Sequence, residues 1–114
     1  MRFPEPADMT PLAWRNYVIA QLVQATLGLI PEHALAVGVT VHRDGVVVQF
    51  QLSEADQDDE EDMRDIVDEL VDLLGEVVEV SSEAVVRMQP QLSPTDGICW
   101  VWRVHVARAE NTSG

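Results

Sequence analysis

Seven consecutive residues, 56–62, carry the densest set of carboxylates in the sequence, Asp-Gln-Asp-Asp-Glu-Glu-Asp. Carboxylate oxygens are preferred ligands of Ca²⁺, and the calcium loop of an EF-hand needs a glycine at its sixth position and a glutamate at its twelfth. Counted from Asp56, those positions hold Glu61 and Val67. Helical geometry would also spread these carboxylates apart, so the pattern predicts no dedicated metal site.

The histidines and the single cysteine are the other side chains that could do acid–base or nucleophilic chemistry. His33, His42 and His105 lack the spacing of a zinc site, and Cys99 lacks the flanking residues of known catalytic cysteines. We interpret the histidines as surface or partner-facing side chains and Cys99 as a semi-buried apolar residue at a strand start. The sequence therefore predicts a protein that is not an enzyme and that has no catalytic residues, metal or cofactor.

Negative charge is concentrated in one segment of the chain. The 114 residues include 20 acidic and 7 basic side chains, for a formal net charge of −13. Residues 54–79 hold 13 of the acids and a single base, Arg64. Direct binding to nucleic acid or to an anionic membrane is therefore not expected. The length suits one domain, and because no signal-peptide pattern is visible we expect a cytoplasmic protein.

The spacing of apolar residues predicts two helices and four strands in the order α-β-β-α-β-β. Thr10 and Pro11 are typical of a helix start, and this unusually apolar helix should run to about residue 26. A capping box from Ser53 to Asp56 predicts a second helix that ends at Gly75. We expect a flexible arm over residues 1–9, a single domain over residues 10–108 and a flexible tail over residues 109–114. The fold class is α+β, a two-layer sandwich with both helices on one face of a four-stranded, mostly antiparallel sheet.

The first two strands should form a hairpin with a two-residue turn at Asp44-Gly45. That turn predicts the pairs Val41 with Val48, Val39 with Phe50 and Val37 with Leu52, all facing the core. The third strand alternates over residues 76–88. The fourth, over residues 98–107, is expected to point Ile98, Trp100 and Trp102 inward and Cys99 outward.

Six acids of the segment 54–79 recur at spacings of four and three, which places them in one row opposite the apolar stripe of the second helix. They are Glu54, Asp58, Glu61, Asp65, Asp68 and Asp72, here called the acidic row. Such a row can be a solvated face that only improves solubility, or a docking surface for a basic protein. In size, charge and this acidic segment, the chain resembles the small acidic immunity proteins that bacteria make against toxins. The resemblance implies an immunity-like inhibitor or adaptor whose partner is basic, such as a toxin domain.

Two other functions stay open. A dimeric, secretion-chaperone-like or scaffold protein would use the apolar first helix or the exposed sheet face as its working surface. An enzyme would use Cys99 or a histidine in a pocket that the sequence does not reveal.

Overall fold

A computed structural model describes residues 5–6, 9–42, 45–75, 78–93 and 96–104. The elements are the helices α1 (Pro11–Thr26) and α2 (Gln57–Leu74) and the strands β1 (Ala34–Val41), β2 (Gly45–Leu52), β3 (Glu79–Val86) and β4 (Cys99–Arg103). The predicted order and the α+β class are confirmed. The predicted tail, His105 and most of the predicted arm lie outside the described residues. Neither of these helices is long and apolar enough to cross a lipid bilayer.

The four strands form one sheet in the order β3-β2-β1-β4. Strand β1 pairs antiparallel with both β2 and β4, whereas β2 and β3 run parallel because α2 connects them as a crossover. One face of the sheet and the two helices share a hydrophobic core, in which Phe50 and Leu70 are completely enclosed. The sandwich is thus closed on one side by α1 and α2.

Helix α1 begins as predicted, because the Thr10 hydroxyl accepts a hydrogen bond from the Ala13 N–H at 3.1 Å. It ends where predicted as well: the cap is Leu27, and Gly28 follows with φ 76°. The buried side chains of α1 recur at helical spacing and face the core. They are Trp14, Val18, Leu22, Ala25 and, in the last turn, Thr26.

Helix α2 begins three residues later than predicted. Its N-cap is Asp56, which forms a capping box with Asp59, and not Ser53. The Ser53 N–H instead donates to the His33 carbonyl at 2.9 Å. This hydrogen bond holds Ser53 beside the start of β1, and the helix therefore begins only after Asp56. The predicted end at Gly75 is confirmed, with φ 87°.

The predicted hairpin between β1 and β2 forms, but its register is shifted by two residues. Val41 lies opposite Val46, Val39 opposite Val48, and Val37 opposite Phe50. The His42 N–H donates to the Gly45 carbonyl at 2.8 Å, so Gly45 already belongs to β2. A shift of two residues keeps every side chain on its predicted face, and hydrophobic alternation alone therefore does not distinguish the two registers.

Strand β4 contradicts the predicted alternation at its start. Cys99 pairs with Val39 and packs against the core, whereas Trp100 lies opposite Gly38 on the other face. A β-bulge between this pair and the next leaves Val101 as an extra residue, so Trp102 returns to the core side as predicted. Ile98 also lies on the outer face and not on the predicted inner one, because its side chain is beside Trp100 over Gly38.

The connection from β3 to β4 links opposite edges of the sheet, and its residues cover part of the face away from the helices. The Gln51 side chain accepts from the Gln91 N–H at 2.8 Å and donates to the Gln91 carbonyl at 2.6 Å. Near β4, the Asp96 carboxylate accepts from the Trp100 indole N–H at 3.0 Å. This outer face is therefore partly covered by the protein's own chain.

Candidate protein-binding surface

All six residues of the acidic row are exposed. Five of them lie on α2, while Glu54 precedes the helix, which corrects the prediction that all six are helical. From Asp58 to Asp72 the row extends for about 21 Å, at about 1.5 Å per residue. The opposite face of the helix is buried through Ile66, Leu70 and Leu74. Helix α2 therefore presents one apolar face to the core and one anionic face to solvent.

Among the described residues, the helical carboxylates of the row form no ion pair with a basic side chain. Within the described ranges, no arginine lies within 4 Å of a carboxylate of the row, and Arg64 is the single base of α2. The one member with a contact to a basic side chain is Glu54, whose Oε1 is 3.5 Å from the His33 Nε2. The surface is consequently free to attract cationic groups of another molecule.

The row lowers the stability of the helix that carries it. Like charges at i,i+4, such as Glu61 with Asp65 and Asp68 with Asp72, each cost about 0.2–0.5 kcal/mol. Acids of the first turn are favoured by the positive end of the helix dipole, but Asp72 lies in the last turn, where the dipole opposes it. The C-terminal half of the row is thus electrostatically unfavourable for the protein alone.

One carboxylate of the acidic segment, Asp59, is buried, with 1% of its surface exposed. It accepts hydrogen bonds from the Asp56 N–H at 3.1 Å and the His33 N–H at 3.2 Å, and its Oδ2 is 2.6 Å from the His33 Nδ1. Burial alone would raise the pKa of Asp59, but the hydrogen bonds from Asp56 and His33 together hold that pKa below its usual 3.8. Asp59 is therefore an ionised carboxylate inside the fold.

His33 is the partner that joins this carboxylate to the segment before β1. Its ring lies between Asp59 and Glu54, and Asp56 is 3.7 Å from its Nδ1. The hydrogen bond to Asp59 raises the pKa of His33 above its usual 6.5, and the negative charges of Asp59, Glu54 and Asp56 act in the same direction. His33, predicted as a surface or partner-facing side chain, is half-buried and bonded to Asp59, whereas His42 is exposed as predicted.

Ligand atoms of His33, Glu54 and Asp56 lie within 4.8 Å of one another, close enough in principle to hold a metal ion. A metal ion needs the neutral imidazole, however, and the surrounding carboxylates favour the protonated ring. The donors of that ring face Asp59 and Glu54. The arrangement is therefore better suited to an internal ion pair that fixes the start of α2 than to a metal centre.

The raised pKa of His33 predicts how stability depends on pH. The contribution of the His33–Asp59 pair is complete below the usual histidine pKa of 6.5 and is lost as the pH rises through the higher pKa of the folded state. On the acid side, it is lost as the pH falls below 3.8 through the lowered pKa of Asp59. We expect the stability difference between the native protein and His33→Gln, measured by urea unfolding, to be larger at about pH 5 than at about pH 9. An equal difference at both pH values would contradict the ion pair.

The signal for Asp59 is present in the sequence. Asp59 lies four residues before Met63 and seven before Ile66, so it extends the apolar stripe of α2 by one turn. A carboxylate on the buried stripe of a helix needs a partner from elsewhere. The prediction for residues 56–62 concerned only calcium binding and did not assign Asp59 to that stripe.

No protein-family model matches this chain, and no curated protein sequence matches it.

Proposed function

We propose that the protein is a non-catalytic binding domain that docks a basic protein through the acidic row of α2, in the manner of an immunity-like inhibitor or adaptor in the cytoplasm. The observation that carries this proposal is that the helical carboxylates of the row are exposed and that, within the described part of the chain, none of them forms an ion pair with an arginine or histidine. A basic partner would supply the missing cations, and it would relieve the repulsion that the row imposes on α2.

Concentrated surface charge acts mainly on the rate and selectivity of association. Opposite charges steer two proteins together, and like charges reject the wrong partner. Because such contacts are solvent-exposed, they weaken as salt is added, with a screening length of about 8 Å at physiological ionic strength. The proposal therefore requires binding that is fast and strongly salt-dependent.

The test neutralises the C-terminal half of the row with residues of the same shape. We define the row variant as Asp65→Asn/Asp68→Asn/Asp72→Asn, and the off-row variant as Glu32→Gln/Glu79→Gln/Glu83→Gln. Glu32, Glu79 and Glu83 are also exposed but lie outside α2, so both variants have the same net charge. The probe is an alanine-based helical peptide of about 20 residues with arginines spaced alternately four and three apart, to match the row.

We expect the row variant to bind this peptide about tenfold more weakly, with a shallower salt dependence, while the off-row variant binds like the native protein. The row variant should also be more stable to urea by about 0.5–1 kcal/mol, because it removes like-charge pairs and the unfavourable Asp72, so weaker binding would not reflect unfolding. Equal binding by the two variants would refute the row as a docking surface.

The alternative function, a dimeric chaperone-like or scaffold protein, is favoured by one observation on α1. Leu12, Val23 and Leu27 are exposed by 63%, 44% and 64% and are spaced so that they lie near one face of the helix. Light scattering distinguishes the two functions. A dimer that Leu27→Glu converts to a monomer would favour the alternative, and a native monomer would count against it.

A further inference from the structure

Strand β3 forms one edge of the sheet and is unusually open. It pairs with β2 on one side, and of its eight residues all but Val80 are exposed. Proteins commonly protect edge strands with charged side chains, especially lysine, or with proline, a bulge or a short length, and the charges of β3 are Glu79 and Glu83. Strand β3 contains neither lysine nor proline and keeps an unbroken register with β2 from Glu79 to Val86. It therefore has the features of a strand that can accept another strand.

The backbone groups at this edge can be assigned from one hydrogen bond. Directly after β3, the Arg87 N–H donates to the Leu52 carbonyl of β2 at 2.7 Å. Because the N–H and C=O groups of successive residues in a strand point to opposite sides, the odd-numbered residues of β3 bond to β2. The even-numbered residues direct their donors and acceptors to the open edge. They are Val80, Ser82, Ala84 and Val86.

The side chains of β3 define which strand would fit. On the outer face, Glu79 and Glu83 are four residues apart, and Val85 follows with 44% of its surface exposed. On the face towards the helices, Ala84 is small and Val86 is 58% exposed. A neighbouring strand with two basic side chains opposite the glutamates and apolar side chains on its other face would complement both surfaces.

We propose that β3 is a second contact surface for the basic partner, which adds an extended segment to this edge as a fifth strand. The inference rests on the proposed function for the basic character of the partner, and it adds the conformation and side-chain pattern of the segment that binds. Backbone hydrogen bonds would give affinity, and the two glutamates with the apolar side chains would select the sequence and its register.

A second copy of this chain fits the edge less well than a basic segment. Antiparallel pairing of two β3 strands would join two copies into one continuous sheet. Because α2 packs against β3, the α2 helices of both copies would then lie next to the new interface, on the same side of that sheet or close to it. Each copy would bring the acidic segment 54–79 with it. Repulsion between two such segments opposes the dimer, whereas the same charge attracts a basic strand.

The test uses the full chain and a peptide designed for antiparallel pairing, Val-Ile-Val-Lys-Val-Thr-Val-Lys, whose lysines lie opposite Glu83 and Glu79. A control peptide, Val-Ile-Lys-Val-Val-Thr-Lys-Val, has the same composition but places its lysines on the opposite face. We expect the control peptide and the off-row variant each to reduce affinity by about tenfold. The row variant should reduce affinity for the designed peptide by no more than about twofold at physiological ionic strength, because it removes only long-range attraction, which salt screens. Ala84→Pro should also weaken binding, because it removes an outward N–H and leaves the ladder to β2 intact.

Amide hydrogen exchange provides a readout that does not depend on charge. In the free protein, the N–H groups of Ser82 and Ala84 should exchange quickly, because they face the open edge, and those of Ser81 and Glu83 should exchange slowly. The designed peptide should slow the exchange of Ser82 and Ala84. If Ala84→Pro does not fold, this exchange pattern and the off-row variant still test the edge.

The outcomes separate the two proposals. If the helical arginine peptide binds through the row but the designed strand peptide protects no amide of β3, the edge inference is overturned and the proposed function stands. If the strand peptide binds and the row variant does not affect the helical peptide, the proposed function fails. If the free protein is a dimer and its Ser82 and Ala84 N–H groups already exchange slowly, a second copy occupies the edge. That result would also overturn the inference.

Discussion

Asp59→Ala is expected to destabilise the protein by about 3 kcal/mol. The substitution removes the acceptor for the N–H groups of Asp56 and His33, and it leaves the His33 ring without its closest partner. Deleting one partner of a buried charged hydrogen bond costs about 1.5–3 kcal/mol, and here the capping box of α2 is lost as well. Urea unfolding at a pH near 6, where both groups are charged, measures the effect most directly.

Asp58→Ala is the matched control for this prediction. Asp58 is the neighbouring residue in the same turn of α2, but it is exposed and belongs to the acidic row. Its replacement should change the stability by no more than about 0.5 kcal/mol, the usual range for surface positions. If the two variants were equally stable, Asp59 would not hold α2 to the segment before β1.

Gly38→Ala is expected to cost about 3 kcal/mol and to separate β4 from β1. A Cβ atom at Gly38 would lie 2.6 Å from the Trp100 Cε3, 2.8 Å from the Ile98 Cγ2 and 2.9 Å from the Cys99 carbonyl oxygen. The carbonyl belongs to the backbone of β4, so rotation of side chains alone cannot relieve the overlap, and overpacking of this kind costs about 1–3 kcal/mol or more. Thermal unfolding and the fluorescence of the tryptophans in β4 should both report the change.

A double-mutant cycle with Trp100→Ala tests the cause. Without the Trp100 ring, Gly38→Ala should cost less by at least about 1 kcal/mol, because the nearest overlap has been removed. The same cost in both backgrounds would mean that Trp100 does not set the requirement for glycine.

Sequence alone determined the features that depend on neighbours along the chain. Thr10, Pro11 and Gly28 fixed the ends of α1, because capping and the left-handed conformation of glycine act within one turn. Alternation of apolar residues fixed the faces of β1 and β2, since it reports which side of a strand is buried. The exposure of the acidic row followed from helical spacing in the same way.

Tertiary structure decided the features that depend on contacts between distant segments. The hairpin register differs by two residues, a shift that leaves every face unchanged and so has no signature in the alternation. The bulge that turns Trp100 outward arises where β4 meets Gly38 of β1, and the ion pair of His33 with Asp59 joins residues 26 positions apart. Local preferences cannot encode such contacts, because their free energy is gained only when the packed core brings the two segments together.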